Sequence, residues 1–336
     1  MSRQQFYSSN SVETVVFQKS GATSSPSASI VSGGRNGLWK VFNGSETKLI
    51  RLTLNTYTGF TSDTNIRNIE FKTNTLKIIT TNVVLNNIFY GNIDLTKFKK
   101  LSFLQMTNNN ELTGITLPYS DEVTTNILIS ANSKIKTLDL SSLSNLAGAV
   151  DISNNATLSA VTNPTSNQYV NEYRIHNSNI TGTLNMSTFT NLGASSSGVA
   201  YSIFTCFNNP NLTNVIFPIS TNFFKNTGDN PFSCCFSLFG CNLDYVDFTK
   251  LSGATLVSGF STPRIELYNN NMSADDVNHI LVDFSGNATY NPTGWSDVRL
   301  NIGGTNANPD SSSGGYNGLA AISFLTGSPY NWTITY

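Results

Sequence analysis

LQMTNNNELTGITLPYSDEVTTNILISANSKIKTLDLSSLSNLAGAVDISNN, residues 104–155, states one short phrase three times. An apolar-x-apolar pair is followed by Asn five residues after its first apolar position. The phrase reads Leu104-Gln-Met106 with Asn109, Ile127-Leu-Ile129 with Asn132, and Val150-Asp-Ile152 with Asn155. Tyr173-Arg-Ile175 continues the series, with Ser178 in the Asn position. These starts lie 23 residues apart. A second pair follows each first one: Ile115-Thr-Leu117, Leu138-Asp-Leu140, Val161-Thr-Asn163 and Leu184-Asn-Met186, again 23 residues apart. Two series with one period mark an internal repeat, and a β-sandwich keeps no such fixed period.

The physics of the period predicts the architecture. Apolar residues at i and i+2 face one side of a strand. Two short strands cannot bury that side alone, so successive repeats must stack, with the strands parallel within each column. The recurrent Asn suits a buried corner, where its amide can pair with backbone groups that the sharp turn leaves open. The Asn position is therefore expected to be structural at Asn109, Asn132, Asn155, Asn209 and Asn270, with Cys241 as a weaker substitute.

Beyond Ser187 the step lengthens to about 30 residues while the pattern persists. Phe204-Thr-Cys206 carries Asn209, Phe236-Ser-Leu238 carries Cys241, and Ile265-Glu-Leu267 carries Asn270. Val215-Ile-Phe217 and Val246-Asp-Phe248 continue the second series. Insertions then fall near 187–203, 218–235 and 249–264. Upstream, Ile93-Asp-Leu95 and Ile69-Glu-Phe71 are read as second-series members, and Leu52-Thr-Leu54 as the earliest rung.

The stretches NNNELTGITLP (108–118), NSKIKTLDLSSLSNL (132–146), NNATLSAVTNP (154–164) and FNNPNLTNVIFP (207–218) resemble leucine-rich repeats of bacteria and phages, which read roughly N-x-x-L-x-x-L-x-L. The resemblance covers about residues 65–285. ELYNNNMSADDVNHILVDFSG (266–286) and GLAAISFLTGSPYNWTITY (318–336) are similar to the C-terminal caps of such proteins in phage virions and on gut-type bacteria. The irregular period after 187 and the rungs without leucine depart from the family pattern.

The expected fold is mainly β: a leucine-rich-repeat-like parallel β-solenoid over 61–271, with longer inserted turns toward its C-terminal half. Residues 1–60 read as an N-terminal cap and arm, with strands near 14–17, 38–42 and 49–54 and a Ser/Gly/Ala-rich stretch at 19–35. Residues 272–336 read as a small α/β cap. Ser273 is a good N-cap, Asp275 and Asp276 follow in the first turn, and Val277, Ile280, Leu281 and Phe284 make an apolar stripe at helical spacing. Gly286 is expected to end that helix. A short helix at 318–326 and a final strand at 332–336 follow, with 303–317 a loop by composition.

Chemistry is thinly represented. Charged residues make up 12% and the formal net charge is −1, which gives no electrostatic reason to expect nucleic acid as a partner. No run is long and apolar enough for membrane insertion, and the opening MSRQQFYSSN reads as no signal peptide. Cys206, Cys234, Cys235 and Cys241 fit neither redox nor zinc spacing; buried thiols are expected, with a disulfide as the alternative. His176 and His279 lack a nucleophile partner in sequence. Asp94, Asp139 and Asp247 occupy the outward middle of the second series, where paired carboxylates could serve a glycosidase, but Thr116, Thr162, Asn185 and Ile216 interrupt them. Asp121-Glu122 and Asp275-Asp276 are weak cation candidates. No catalytic residue, metal or cofactor is expected.

For binding, the inserted turns carry Tyr201, Phe207, Phe223, Phe224 and Phe232 among polar residues. Exposed, they would suit sugar stacking or a protein interface; buried, they would cover the repeat. The phage resemblance implies a non-enzymatic virion component, a tail- or head-surface fibre-like protein made in the host cytoplasm. It would attach to other virion proteins through its N-terminal region and bind a host surface glycan or protein, in multiple copies. A bacterial cell-surface interaction protein and a polysaccharide depolymerase are the alternatives.

Overall fold

The computed structural model describes strand segments 13–18, 27–32, 38–43, 46–51, 68–73 and 81–86, and then residues 89–96, 98, 101–120, 124–166, 168–190, 192, 203–219, 235–254 and 263–336. Among them the chain is mainly β, with two α-helices, α1 (Ala274–Tyr290) and α2 (Gly318–Thr326). The rung read at Leu52-Thr-Leu54 and the pair Asp121-Glu122 lie outside the described residues.

One long sheet organises the molecule. Its strands run in the order Ser27–Ser32, Thr81–Asn86, Leu101–Gln105, Thr124–Leu128, Leu146–Asp151, Tyr169–Arg174, Ile203–Thr205, Cys235–Ser237, Arg264–Glu266, Arg299–Asn301 and Thr333–Thr335. Every neighbouring pair from Thr81–Asn86 onward is parallel. The register joins equivalent repeat positions: Leu104 lies beside Ile127, Ile127 beside Val150, and Val150 beside Tyr173. It continues through Phe204, Phe236, Ile265 and Leu300 to Ile334. From Val83 to Leu300 these side chains are at most 3% exposed. The apolar i, i+2 pattern therefore points into one continuous core.

Shorter parallel pairs form the second column: Tyr90–Asp94 with Glu111–Thr116, Thr137–Asp139 with Ala160–Thr162, and Thr181–Asn185 with Asn211–Ile216. Ile93, Ile115, Leu138, Leu184 and Val215 face the same core. Where this series reaches Val246-Asp-Phe248, a 3-10 turn at Phe248–Leu251 replaces the strand, and Phe248 and Leu251 stay buried.

The Asn position works as a relay between repeats. The Asn109 N–H donates to Asn132 Oδ1 (3.0 Å), the Asn132 N–H to Asn155 Oδ1 (2.8 Å) and the Asn155 N–H to Ser178 Oγ (3.4 Å). Asn209 Oδ1 accepts from Ile180 N–H at 3.1 Å, and Asn270 Oδ1 from Cys241 N–H at 3.1 Å. Each amide also donates to buried carbonyls, as Asn155 does to Ile129 and Ile152, both at 2.7 Å. Cys241 keeps part of the pattern, its thiol donating to the Cys206 carbonyl at 3.2 Å. Asn306 is a further member: its Oδ1 accepts from Asn270 N–H at 2.8 Å. The residue before each slot is left-handed, at Asn108, Ala131, Asn154, Asn177, Asn208, Gly240 and Asn269. Asn and Gly tolerate that conformation; Ala131 is the strained exception.

Several local expectations are corrected. Ile69-Glu-Phe71 belongs to no repeat. Its strand, Asn68–Thr73, pairs antiparallel with Glu13–Gln18 and Leu38–Asn43, and the latter also pairs antiparallel with Glu46–Arg51. The strand expected near 49–54 is thus Glu46–Arg51. Residues 303–317 are more than a loop, because Asn306 closes a turn there. Helix α1 runs through Gly286 to Tyr290. Asn287 and Ala288 are buried beyond the glycine, and the Asn287 amide donates to the Phe248 carbonyl at 2.8 Å. Those contacts outweigh the roughly 1 kcal/mol penalty of a mid-helix glycine. The α1 N-terminus carries a reciprocal capping box between Ser273 and Asp276. Its Phe284 packs on Phe248, Trp295 and Trp332 at ring-centroid distances of 4.8, 5.8 and 5.7 Å, closing the core at this end.

Candidate functional site

The outward face of the long sheet is a surface that the repeat builds, half-buried or exposed toward both ends and covered at Thr205 and Ser237. Alternation along each strand sends the residues flanking the core position outward. These include Asn126 and Leu128, Ala149 and Asp151, Glu172 and Arg174, Arg264 and Glu266, Arg299 and Asn301, then Thr333 and Thr335. Glu172 and Arg174 form an ion pair on this face. Toward the C-terminal edge lies an open hollow of about 240 Å³, lined by Arg264, Glu266, Arg299, Asn301, Thr333 and Thr335.

Beside this face, at the turn edge, rings form a column. His176, Phe207, Phe239 and Tyr268 stack in sequence with centroid separations of 4.5, 4.6 and 4.4 Å and interplanar angles of at most 12°. All four are half-buried. They precede the left-handed residues, so the parallel register brings them one above the next. The faces of Phe207 are covered by His176 and Phe239, and solvent reaches its rim. Tyr201, Phe223, Phe224 and Phe232 lie outside the described residues. Burial holds the His176 imidazole below the usual histidine range.

The other titratable residues scatter. His279 sits between the rings of Tyr245 and Tyr316, 3.8 Å from each centroid, and its Nε2 is 3.8 Å from Asp283 Oδ1. Asp283 accepts from the Tyr245 hydroxyl (2.9 Å) and the Phe248 N–H (3.2 Å), yet burial raises its carboxyl above the ordinary range. Asp94, Asp139 and Asp247 each accept a hydrogen bond from the backbone N–H two residues on, which makes them turn residues. Thr116 stands between Asp94 and Asp139 in the column, so the two carboxylates are not on adjacent strands. Asp275 and Asp276 occupy the first turn of α1. Cys206 and Cys241 are free buried thiols, the latter pushed up to about 12 by burial. Among the described residues no three His, Cys, Asp or Glu side chains gather as a metal site, and no helix is long and apolar enough to cross a membrane.

Sequence reasoning passed over Arg264 and Arg299. Their signal is positional, since each directly precedes the core residue of its strand. The Arg299 strand was unrecognised because its Asn306 falls six residues after Leu300, where the other repeats have five. Comparison with protein-family models, with curated proteins and with solved structures finds no match.

Proposed function

We propose that this chain is a leucine-rich-repeat-like parallel β-solenoid and a non-enzymatic component of a phage virion surface, on tail or head. It binds a host-surface glycan or protein through the outward face of its long sheet and attaches to other virion proteins through its N-terminal region. The observation that carries this reading is that face: a run of in-register parallel strands presenting polar side chains and ending in an open hollow. A rigid repeat surface of this kind suits recognition by shape, and weak contacts multiply when many copies share one particle.

The test is electron microscopy of particles from the source of the gene, with the chain located by density or by an antibody label. A chain projecting from tail or head, with residues 1–60 against a partner and the long sheet outward, is the expected result. Particles that lack the chain would remove the reading.

A further inference from the structure

Arg264 and Arg299 are register partners on adjacent parallel strands, at the same outward position. Both are exposed, and among the described residues neither side chain makes a hydrogen bond, ion pair or ring contact. Strands in a sheet lie about 4.8 Å apart, and like charges directly opposite destabilise the pair. The acid on the same face, Glu266, pairs with neither of them. Its Oε2 accepts from Ser237 Oγ at 2.8 Å, on the strand away from Arg299. Two guanidinium groups and one carboxylate therefore line the hollow and leave it an excess of positive charge, with Thr333 and Thr335 on the next strand and Asn301 beside Arg299.

We infer that this hollow binds an acidic sugar unit of a glycan, its carboxylate held between Arg264 and Arg299. The inference rests on the binding role proposed above and names its ligand. Guanidinium groups pair with a planar carboxylate through two parallel N–H donors, a geometry that lysine lacks. The rest of the lining fits a sugar. Glu266 can accept from ring hydroxyls as its Oε2 accepts from Ser237 Oγ, and a second carboxylate offers no such donor. Thr333, Thr335 and Asn301 can both donate and accept. The side chains of Ile265 and Leu300, which complete the lining, are buried in the core, so the groups that reach a ligand from the outward positions are charged or hydroxyl- and amide-bearing.

The experiment is calorimetric titration of the full chain with oligogalacturonate and with a sialylated trisaccharide. Carboxyl-reduced oligogalacturonate and poly-glutamate serve as comparators. Binding of either acidic sugar is expected, with a loss of at least tenfold in R264A and in R299A and none detectable in the double variant. Arg299→Lys should retain part of the affinity. The carboxyl-reduced oligomer should not bind. Melting temperature is read alongside: removing one of two opposed charges should leave the free protein as stable or more so, whereas a merely structural arginine would lower it. Failure of both acidic sugars to bind, binding unchanged in the double variant, or equal binding of poly-glutamate that the double variant abolishes would each overturn the inference. The position of the chain on particles is measured separately, so a negative titration leaves the virion reading in place, and particles without the chain leave this site standing.

Discussion

The shorter repeats that start at Leu104, Ile127 and Val150 and the longer ones that start at Tyr173, Phe204 and Phe236 solve one packing problem with different side chains. In the first region Leu104, Ile127 and Val150 fill the inward positions of the long sheet. In the second, Tyr173, Phe204 and Phe236 fill them, with Phe217 and Phe248 opposite, and ring centroids lie 5.4–6.1 Å apart. The turn edge changes in parallel, from Thr107, Ser130 and Ser153 to the column His176, Phe207, Phe239 and Tyr268. The core positions stay in register throughout, with bulges confined to the strand starts. Repeat length and core volume thus vary together while the turn amides keep the repeats in step, so the step of the ladder is set by hydrogen bonding and its filling by side-chain size.

The largest expected effect tests the shared part of that contrast. Asn132→Ala leaves the Asn109 N–H and the Met106 carbonyl without their partner, while the Ser130 carbonyl keeps the Asn108 N–H. At roughly 1–3 kcal/mol for each of these two buried groups left open, urea denaturation should register a loss of about 2–6 kcal/mol. Cys241→Asn should move the other way, because an amide oxygen accepts from the Asn209 N–H more strongly than the thiol sulfur does. A loss below 1 kcal/mol for N132A would show that the relay is incidental.

Phe236→Ala probes the part that differs. Removing a buried ring from the aromatic region should cost about 3–5 kcal/mol in the same experiment, against about 0.5–1.5 for Ile127→Val in the aliphatic region. Comparable losses would mean that ring packing does not define the second region.

A smaller effect concerns pH. The folded Asp283 carboxyl titrates above the unfolded value of about 3.9, so the folded state holds its proton more tightly. The stability gained is fully present below that unfolded value and is lost as pH rises through the folded one. Asp283→Asn keeps an acceptor for Tyr245 and Phe248 but has no charge to bury. Its thermal stability relative to the parent should therefore rise with pH across that window; a constant difference would remove the assignment. The smallest effect belongs to Ala131, held at φ 56°. Ala131→Asn should add about 0.5–1 kcal/mol, since Asn occupies this left-handed position in most neighbouring repeats.

The same contrast explains what the sequence made legible. From Leu104 to Met186 a fixed 23-residue step and a recurrent Asn position, filled once by Ser178, announce the parallel columns and their register. Toward the ends the signal decays for physical reasons. Alternation at Ile69-Glu-Phe71 is equally natural in an antiparallel strand, so periodicity alone cannot assign it. The strand at Leu300 hides behind one extra residue, and Gly303-Gly304 imitates a plain loop. Of the candidate binding residues, Phe207 is the one the structure describes, in a column formed by residues about 30 apart. The pairing of Arg264 with Arg299 arises from strand register, which neither residue advertises.

The amide relay also has a direction. The turn at Asn109 is completed by Asn132, that at Asn132 by Asn155, and that at Asn270 by Asn306. Each repeat lends its acceptor backward, to the one made before it. A chain emerging from the ribosome must therefore extend one full repeat past a turn before that turn's buried N–H finds its partner. Ordering trails synthesis by about one repeat, and a prematurely terminated chain carries an open donor at its growing end.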